Sequence, residues 1–282
     1  MTRLANLLGR AVLVTDEGGI DVERASEGRF AADPQSLYER WDEFRHWSAT
    51  AEPGVTGFFE VHEHELLSPA PFPAQVFGIG LNYRDHVAET SSPLPERLTV
   101  FTKFPTCITG GFTEVSLPVD TVDYEVELVV VMGARAHQVA EWEAWSLVAG
   151  VTVGQDLSDR VLQRAAGNQF CLAKSYPGFG PMGPWLVTPD ELTDPDDLRL
   201  SSSLNGEVMQ DSRTSEMIFS VSRLIEEVSS VVPLLPGDVI FTGTPAGVGW
   251  TRQPSVFLRP GDVLESTIEQ IGTMRTRLIG PA

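Results

Sequence analysis

Two glutamates occupy alternate positions in a run of residues that is typical of a β-strand. The run is DYEVELVVV, residues 123–131, and its acids are Glu125 and Glu127. Because strand side chains alternate between faces, both carboxylates point the same way, and Val129 and Val131 continue that face as an apolar surface. Paired carboxylates at the edge of an apolar layer repel each other and lose hydration, and a divalent cation relieves both costs. The run predicts a metal site; the alternative is an edge strand whose first residues face water.

Three further segments place polar groups beside predicted strands. Asp156 ends the strand-like run VTVGQD and is either a third oxygen ligand or the N-cap of a helix. Lys174 precedes a loop rich in glycine and proline, a position where a lysine is ordinarily solvated. The segment FTGTPAGVG, residues 241–249, is either a plain connection or a loop whose backbone N–H groups face a ligand. It lacks the ending of a phosphate loop, so it does not predict a nucleotide site.

A histidine and a glutamate are spaced for one face of a helix. His86 and Glu89 lie three residues apart in GLNYRDHVAE, which follows a probable strand. A carboxylate beside an imidazole fixes its tautomer and raises its basicity, which suits a general base acting on water. The alternative is an ordinary surface ion pair.

The elements that must position these groups are mostly strands. Runs rich in β-branched and aromatic residues predict strands at 11–14, 76–79, 126–132, 148–153, 239–241 and 263–268. Two PGDV segments place turns just before the last two of these strands and predict successive hairpins. Few long helices separate the strands, which favours a β-rich sandwich or roll over a doubly wound sheet.

Two helices are predicted, one on each side of a proline-rich segment. Residues 36–47 read as a helix capped by Ser36, after a strand and a Gly18-Gly19 turn. Residues 215–232 read as a helix with one apolar stripe. The prolines of SPAPFP, residues 68–73, predict a linker. We therefore expect a small N-terminal module, residues 1–68, and a catalytic domain, residues 69–282.

Composition excludes several classes of protein. The net charge of −19 repels phosphate backbones, so nucleic acid is not an expected partner. No apolar run reaches the ~20 residues that a membrane span needs, and the N-terminus does not read as a signal peptide. The chain has two cysteines and no disulfide framework, which predicts a reducing, cytoplasmic location.

Taken together, the motifs resemble the fumarylacetoacetate hydrolase superfamily, in its acylpyruvase and 2-hydroxyhepta-2,4-diene-1,7-dioate isomerase-like branch. The resemblance covers about residues 75–270 and rests on five segments in family order: GLNYRDHVAE, DYEVEL, the Asp156 segment, AKSYPGFGPMGPW and PGDVIFTGTPAGVG. It implies an α+β, β-rich fold, a mixed β-sandwich roll with a small N-terminal α/β module, and a homodimer.

The resemblance also implies roles for individual residues. Carried over position by position, it makes Glu125, Glu127 and Asp156 the ligands of Mg²⁺ or Mn²⁺, which agrees with the preference of hard cations for oxygen. It assigns the remaining family positions as the catalytic residues His86, Glu89 and Lys174 and the substrate-binding residues Gln163, Thr244 and Arg84.

The chemistry implied is hydrolysis of a C–C bond in a 1,3-dicarbonyl 2-oxo acid, of the acylpyruvate or fumarylpyruvate type. A 2-oxo acid would chelate the metal, His86 would activate water, and the metal and Lys174 would stabilise a pyruvate-type enolate. Decarboxylation of an oxaloacetate-type 2-oxo diacid and isomerisation of a dienedioate share that enolate and remain alternatives. A catalytically weak metal-binding protein is an alternative of another class.

Two departures from the family pattern bear on the choice of substrate. Asp159 and Val161 change the charge around the third ligand, although Arg160 of the family segment is retained, and Pro177 stands where many members have an aspartate. Outside the resemblance, His62 and His64 alternate among glutamates, and we interpret them as a solvated strand or loop.

Overall fold

The structure, a computed structural model, describes residues 3–52, 57–165, 167 and 169–281. Its strands, in chain order, are β1 (Arg3–Leu7), β2 (Arg10–Thr15), β3 (Gly18–Asp21), β4 (Leu66–Leu67), β5 (Val76–Gly80), β6 (Thr99–Thr102), β7 (Ile108–Gly110), β8 (Glu114–Ser116), β9 (Val122–Asp123), β10 (Val126–Met132), β11 (Val148–Gln155), β12 (Ser158–Asp159), β13 (Gly180–Val187), β14 (Arg199–Leu204), β15 (Glu207–Arg213), β16 (Val239–Phe241), β17 (Val263–Ile268) and β18 (Gly272–Ile279). Its α-helices are α1 (Val22–Ala25), α2 (Pro34–Leu37), α3 (Trp41–Ser48), α4 (Arg84–Glu89), α5 (Arg160–Ala165), α6 (Phe170–Ala173) and α7 (Val221–Ser229).

Two sheets form the body of the molecule. The larger, 11-stranded sheet runs β3-β2-β1-β13-β11-β10-β16-β5-β6, with β4 paired to β1 and β7 paired to β13. The smaller sheet runs β15-β14-β17-β18-β8 and packs on the faces of β10, β11 and β13. This arrangement confirms the α+β, β-rich sandwich expected from the strand patterns.

Strand β10 is buried on both faces, which explains its almost unbroken apolar sequence. Leu128 and Val130 pack into the core between the two sheets, whereas Val129 and Val131 pack into a second core beneath the N-terminal helices. Every residue of β10 is buried. Glu127 is its single charged residue, so the strand holds one carboxylate where water cannot hydrate it.

The N-terminal residues extend the large sheet instead of forming a separate sheet. Leu4 of β1 pairs with Leu186 of β13, and Tyr38, Trp41 and Phe44 share one core with β10 and β16. These aromatic side chains lie on one face, as their spacing predicts. The division into residues 1–68 and 69–282 stays a prediction; the packing across it is continuous.

Several local predictions are wrong in detail. Asp33, not Ser36, caps the first helical segment, which breaks into α2, a 3₁₀ turn (Tyr38–Arg40) and α3. The turn between β2 and β3 lies before Gly18 and Gly19, which begin β3. Of the two PGDV segments, only the second opens a hairpin, β17–β18; the first leads into β16, a central strand parallel to β5.

The helix predicted at residues 215–232 begins later, at Val221, with Ser220 as its N-cap. The reason is a tertiary contact: Asn82 accepts the backbone N–H of Ile218 at its carbonyl oxygen and the N–H of Phe219 at its side-chain oxygen. These bonds hold Ile218 and Phe219 out of the helix. In the described residues, no helix has the length and apolar character needed to cross a membrane.

Candidate metal centre and active-site cavity

Three carboxylates converge at one end of the β10–β11 pair. Glu125 directly precedes β10, Glu127 is its second residue, and Asp156 directly follows β11. The antiparallel register sets Val126 opposite Gln155, and the Asp156 N–H donates to the Glu125 carbonyl at 2.9 Å. One oxygen from each of the three carboxylates lies within 4.8 Å of the other two. The alternating pattern of the glutamates thus meets the acid at the end of the neighbouring strand.

The three carboxylates are buried but unequal in their electrostatic environment. Burial and the charges of Asp156 and Glu125 raise the pKa of Glu127 well above its usual value. Burial acts in the same direction on Glu125, but the charges of Lys174 and Arg160 outweigh it and lower its pKa to about 2. In the described ranges Glu127 has no ion pair, and its nearest donor is the Gly243 N–H at 2.8 Å.

Three buried cations surround the carboxylates. The Lys174 ammonium lies 2.8 Å from Glu125 Oε2 and 2.5 Å from Asp156 Oδ2. Lys103 reaches Asp156 Oδ1 from the other side, at 2.6 Å. Arg160 bridges Asp123 at 2.8 Å and Glu125 at 2.6 Å. Burial disfavours the charged form of Lys174, yet the neighbouring carboxylates raise its pKa, so it remains an ammonium.

The donor set fits a hard divalent cation. Its ligand atoms are carboxylate oxygens with neither sulfur nor imidazole among them, which is the chemistry that Mg²⁺ and Mn²⁺ prefer. Of the three carboxylates in the cluster, Glu127 is the one that forms no ion pair in the described residues, so a cation at this point would compensate its charge. Glu125, Glu127 and Asp156 would hold the ion.

The predicted dyad forms on α4. The His86 Nδ1 lies 3.0 Å from Glu89 Oε2, and His86 is 7% exposed. Glu89 also accepts the Gly247 N–H at 3.0 Å and the Thr251 hydroxyl at 2.8 Å. These bonds fix the Glu89 carboxylate, and the carboxylate in turn fixes the His86 imidazole through Nδ1. The second ring nitrogen, Nε2, takes no part in this contact. The pair is therefore anchored to the tertiary structure and is not a simple surface ion pair.

The glycine-rich loop after β16 binds the carboxylates of the site. Its Gly243, Gly247 and Gly249 N–H groups donate to Glu127, Glu89 and Asp123, respectively. A Cβ atom on Gly249 would lie 1.8 Å from a backbone carbonyl oxygen, and one on Gly247 would lie 2.1 Å from another. The glycines are required by this close approach. The loop does expose N–H groups, as its composition predicts, but these three bind the protein's own acids.

A cavity of about 260 Å³ reaches the cluster at Glu125. Its lining brings together five of the predicted residues and two further side chains: Glu125, His86, Lys174, Gln163, Thr244, Arg160 and Trp250. A larger groove, of about 740 Å³, lies near the β2–β3 turn and contains none of the predicted site residues.

The predicted substrate-binding residues differ in their placement. Gln163 accepts a hydrogen bond from Arg160 at 3.0 Å and lines the cavity. The Thr244 hydroxyl donates to the Val126 carbonyl at 2.8 Å and accepts from Gln210, so its proton is already engaged. Arg84 is exposed, donates to the Met217 carbonyl at 3.2 Å, and is not among the cavity-lining residues. The structure does not bring Arg84 to the site.

Sequence reasoning missed three charged or aromatic groups and noted a fourth without a role. Lys103 ends a strand-like run, and a charged residue at that position was the one local signal that could have identified it. Asp123 stands in the DYEVEL segment but was not singled out, and Trp250 directly follows the glycine-rich loop. Arg160 was noted only as part of a motif. The ion-pair partners of Arg160 lie on a segment that is distant in the chain, and residue spacing cannot reveal such contacts.

The departures from the family pattern lie outside the metal cluster. Asp159 accepts the Val161 and Leu162 N–H groups and so caps α5. Pro177 is exposed. The His62 and His64 rings stack at 5.6 Å on exposed residues around a 3₁₀ turn, as expected of a solvated segment. Cys107 and Cys171 are both free.

Comparison with known proteins agrees with this geometry. Residues 75–279 match the model of the fumarylacetoacetate (FAA) hydrolase C-terminal family. A mitochondrial oxaloacetate tautomerase of Bos taurus is 42% identical over 220 residues, 77% of this chain and 70% of that protein. A 2,4-didehydro-3-deoxy-L-rhamnonate hydrolase of a Sphingomonas species is 44% identical over 207 residues, 72% of this chain and 73% of that protein.

Solved structures extend the likeness to the whole chain. A Mycobacterium smegmatis structure, provisionally described as an HpcE protein, has a TM-score of 0.93 at 52% identity and covers 100% of both chains. The fumarylacetoacetate hydrolase of Exiguobacterium antarcticum has a TM-score of 0.87 at 30% identity, covering 99% of this chain and 100% of that one. The fold, the carboxylate cluster and these matches show that the chain belongs to the fumarylacetoacetate hydrolase family.

Proposed function

We propose that the protein is a divalent-cation-dependent enzyme that forms the enol or enolate of a 2-oxo dioic acid. Its reaction would be decarboxylation or keto–enol isomerisation of the oxaloacetate or dienedioate type. The observation that carries the proposal is the cluster of Glu125, Glu127 and Asp156, in which Glu125 lines a cavity together with Lys174 and His86. The bovine relative is named an oxaloacetate tautomerase, and a Mycobacterium marinum structure is a 2-hydroxyhepta-2,4-diene-1,7-dioate isomerase.

The carboxylate cluster would hold Mg²⁺ or Mn²⁺. When bound, such a cation supplies Lewis-acid stabilisation of negative charge on the oxygens of a 2-oxo acid. Lys174 adds a second positive charge at the same place, because its pKa is raised and it is buried among the ligands. A preorganised ammonium in a water-poor site stabilises a developing enolate more than it would in water.

The dyad supplies the proton transfer. Glu89 engages His86 Nδ1, which leaves Nε2 to take up or deliver a proton on a substrate carbon or oxygen. The Glu89 carboxylate would stabilise the imidazolium that forms. Isomerisation needs His86 for both removal and return of a proton, whereas decarboxylation of a 2-oxo diacid needs His86 only to protonate the enolate.

A second candidate is hydrolysis of a C–C bond in an acylpyruvate or fumarylpyruvate, the activity that the sequence motifs first indicated. The specific observation in its favour is that the anchored His86–Glu89 dyad is suited to activating water. The Sphingomonas relative is named a hydrolase. The two candidates share the enolate and differ in whether water attacks a second carbonyl.

The experiment that tests the proposal uses purified, Mg²⁺-loaded protein with oxaloacetate, a dienedioate and an acylpyruvate. We expect turnover of oxaloacetate or the dienedioate, abolished by EDTA, and little release of carboxylic acid from the acylpyruvate. His86→Ala should lower isomerisation by at least about 100-fold, while His64→Ala, an exposed histidine, serves as the matched control. Stoichiometric pyruvate and carboxylic acid from the acylpyruvate alone would establish the hydrolase instead.

Two further expectations belong to the proposal. The chain would act as a homodimer on a small 2-oxo acid, without nucleic acid or membrane partners, in a reducing compartment such as the cytoplasm. Sedimentation analysis tests the oligomeric state. If the metal-loaded protein binds 2-oxo acids but turns over none of the three substrates, the catalytically weak metal-binding protein becomes the better description.

A further inference from the structure

The outer wall of the cavity carries a cation that the proposed chemistry does not use. Arg164 lies on α5, four residues after Arg160, so both side chains share one helix face. Their guanidinium carbons lie 4.6 Å and 6.0 Å, respectively, from the centroid of the Trp250 ring. All three residues line the cavity. Two guanidinium groups therefore lie near the same indole ring in the cavity wall.

The two arginines differ in their partners. Arg160 is buried and forms ion pairs with Asp123 and Glu125. Arg164 is exposed, and within the described ranges its guanidinium has neither an ion pair nor a side-chain hydrogen bond. The chain has 39 acidic and 20 basic residues other than histidine, so acids are plentiful. Of the cavity's cationic side chains, Arg164 is the one whose charge remains available to an anion from solution.

We infer that Arg164, held over Trp250, binds the distal carboxylate of a 2-oxo dioic acid whose carbon chain is longer than that of oxaloacetate. The inference rests on the proposed function, because it takes the 2-oxo end of the ligand to lie at the carboxylate cluster. A planar guanidinium pairs with a carboxylate through two parallel hydrogen bonds. The indole face holds the guanidinium in place without neutralising its charge.

The position of Arg164 selects for length. Residues four apart on a helix are separated by about 5–6 Å between Cβ atoms, so Arg164 lies about one turn beyond Arg160, which contacts Glu125. An extended chain gains about 1.2 Å per backbone bond. The two carboxyl carbons of oxaloacetate are then about 3.6 Å apart, whereas those of a six- or seven-carbon dioate are about 6–7 Å apart. With its 2-oxo end at the cluster, the longer acid would span one helical turn, whereas oxaloacetate would be too short to do so.

The test compares two ligands of equal length, 2-oxoadipate and 2-oxohexanoate, by titration calorimetry of the Mg²⁺-loaded protein. The first ends in a carboxylate and the second in a methyl group. We expect the wild type to bind 2-oxoadipate roughly tenfold more tightly, as for one charge-assisted contact. In Arg164→Gln this ratio should fall to about one, with the affinity for 2-oxohexanoate unchanged.

Arg135→Gln is the matched control, because Arg135 is also exposed but lies beyond the opposite end of β10 from the carboxylate cluster. It should leave the ratio at its wild-type value. A wild type that does not prefer 2-oxoadipate, or an unchanged ratio in Arg164→Gln, overturns the inference. Equal weakening of both ligands also overturns it. These outcomes need no turnover, so they are distinct from failure of the proposed function, which the wild-type activity assays decide.

Discussion

Replacement of Lys103 by methionine should destabilise the protein severely, although Lys103 was not identified by any sequence motif. The side chain is fully buried, and its ammonium donates to Asp156 Oδ1 at 2.6 Å, to the Lys174 carbonyl, and to the Phe179 carbonyl at 3.2 Å. Methionine retains most of the volume but none of the donors. The stability lost on this replacement therefore measures the polar contacts separately from packing.

The size of the effect follows from what each acceptor retains. The Phe179 carbonyl still accepts the Leu157 N–H, so the loss of its bond to Lys103 adds little to the cost. Loss of the charged hydrogen bond to Asp156 costs about 1.5–3 kcal/mol, and leaving the Lys174 carbonyl without this donor costs a further ~1–3 kcal/mol. The two losses add to about 2.5–6 kcal/mol, a range that contains the ~3–5 kcal/mol cost of removing one partner from a buried ion pair. It corresponds to a fall in Tm of about 10 °C.

Urea denaturation followed by tryptophan fluorescence measures the change in the free energy of unfolding. The matched control is Arg199→Gln, which breaks the Arg199–Asp211 pair. That pair is as short, at 2.6 Å, but its side chains are 60% and 42% exposed. It should lose less than about 1 kcal/mol. If Lys103→Met loses no more than Arg199→Gln, then burial does not set the strength of these contacts and the reasoning fails.

Three further substitutions test the site. Glu127→Gln should weaken Mg²⁺ binding at least about tenfold in titration calorimetry, because it removes a charged ligand. Burial raises the pKa of Glu89, but the bonds from His86, Thr251 and the loop outweigh it and lower that pKa below 4.5. The stability that Glu89 contributes is therefore complete above pH 4.5 and is lost as the pH falls through the folded pKa, so Glu89→Gln should be less stable than the wild type near neutrality and approach it in acid. Gly249→Ala should lower both stability and activity, since its Cβ would meet a carbonyl oxygen at 1.8 Å.

Each of these has a contradicting result. Glu114→Gln, on an exposed residue of β8, is the control for Glu127→Gln, and equal Mg²⁺ affinities in the two variants would refute the ligand assignment. For Glu89, a stability difference from the wild type that persists unchanged from neutral to acidic pH would show that the carboxylate charge is not the cause. A Gly249→Ala protein with wild-type stability would show that the loop can move away from the Val256 carbonyl.

The local patterns predicted part of this site because they depend on backbone geometry alone. Glu125 and Glu127 share a face since strand side chains alternate, and His86 and Glu89 meet since a helical turn brings residues three apart together. The strands at residues 126–132, 239–241 and 263–268 match the observed bounds for the same reason. Assignment of roles to these residues came from the family resemblance.

Helix boundaries and the joining of the N-terminal strands escaped the sequence because they depend on partners distant in the chain. Asn82 accepts two backbone N–H groups just before the helix that begins at Val221, so these groups do not take part in the helix. Leu4 finds its strand partner in β13, at Leu186. Residue propensities taken over a short stretch of sequence cannot reveal either contact, because the partner in each lies more than 100 residues away in the chain.

By itself, the sequence determined the strand-rich fold class, the alternating carboxylates and the dyad, since each follows from the repeat of the backbone. Only the tertiary structure decided which charges are compensated. It buries Lys103 and Lys174 against Asp156, leaves Glu127 without a cationic partner in the described chain, and sets Arg164 over Trp250. The physical reason is that the strength of a charge depends on burial and on the atoms within a few ångströms, and the fold alone brings those atoms together.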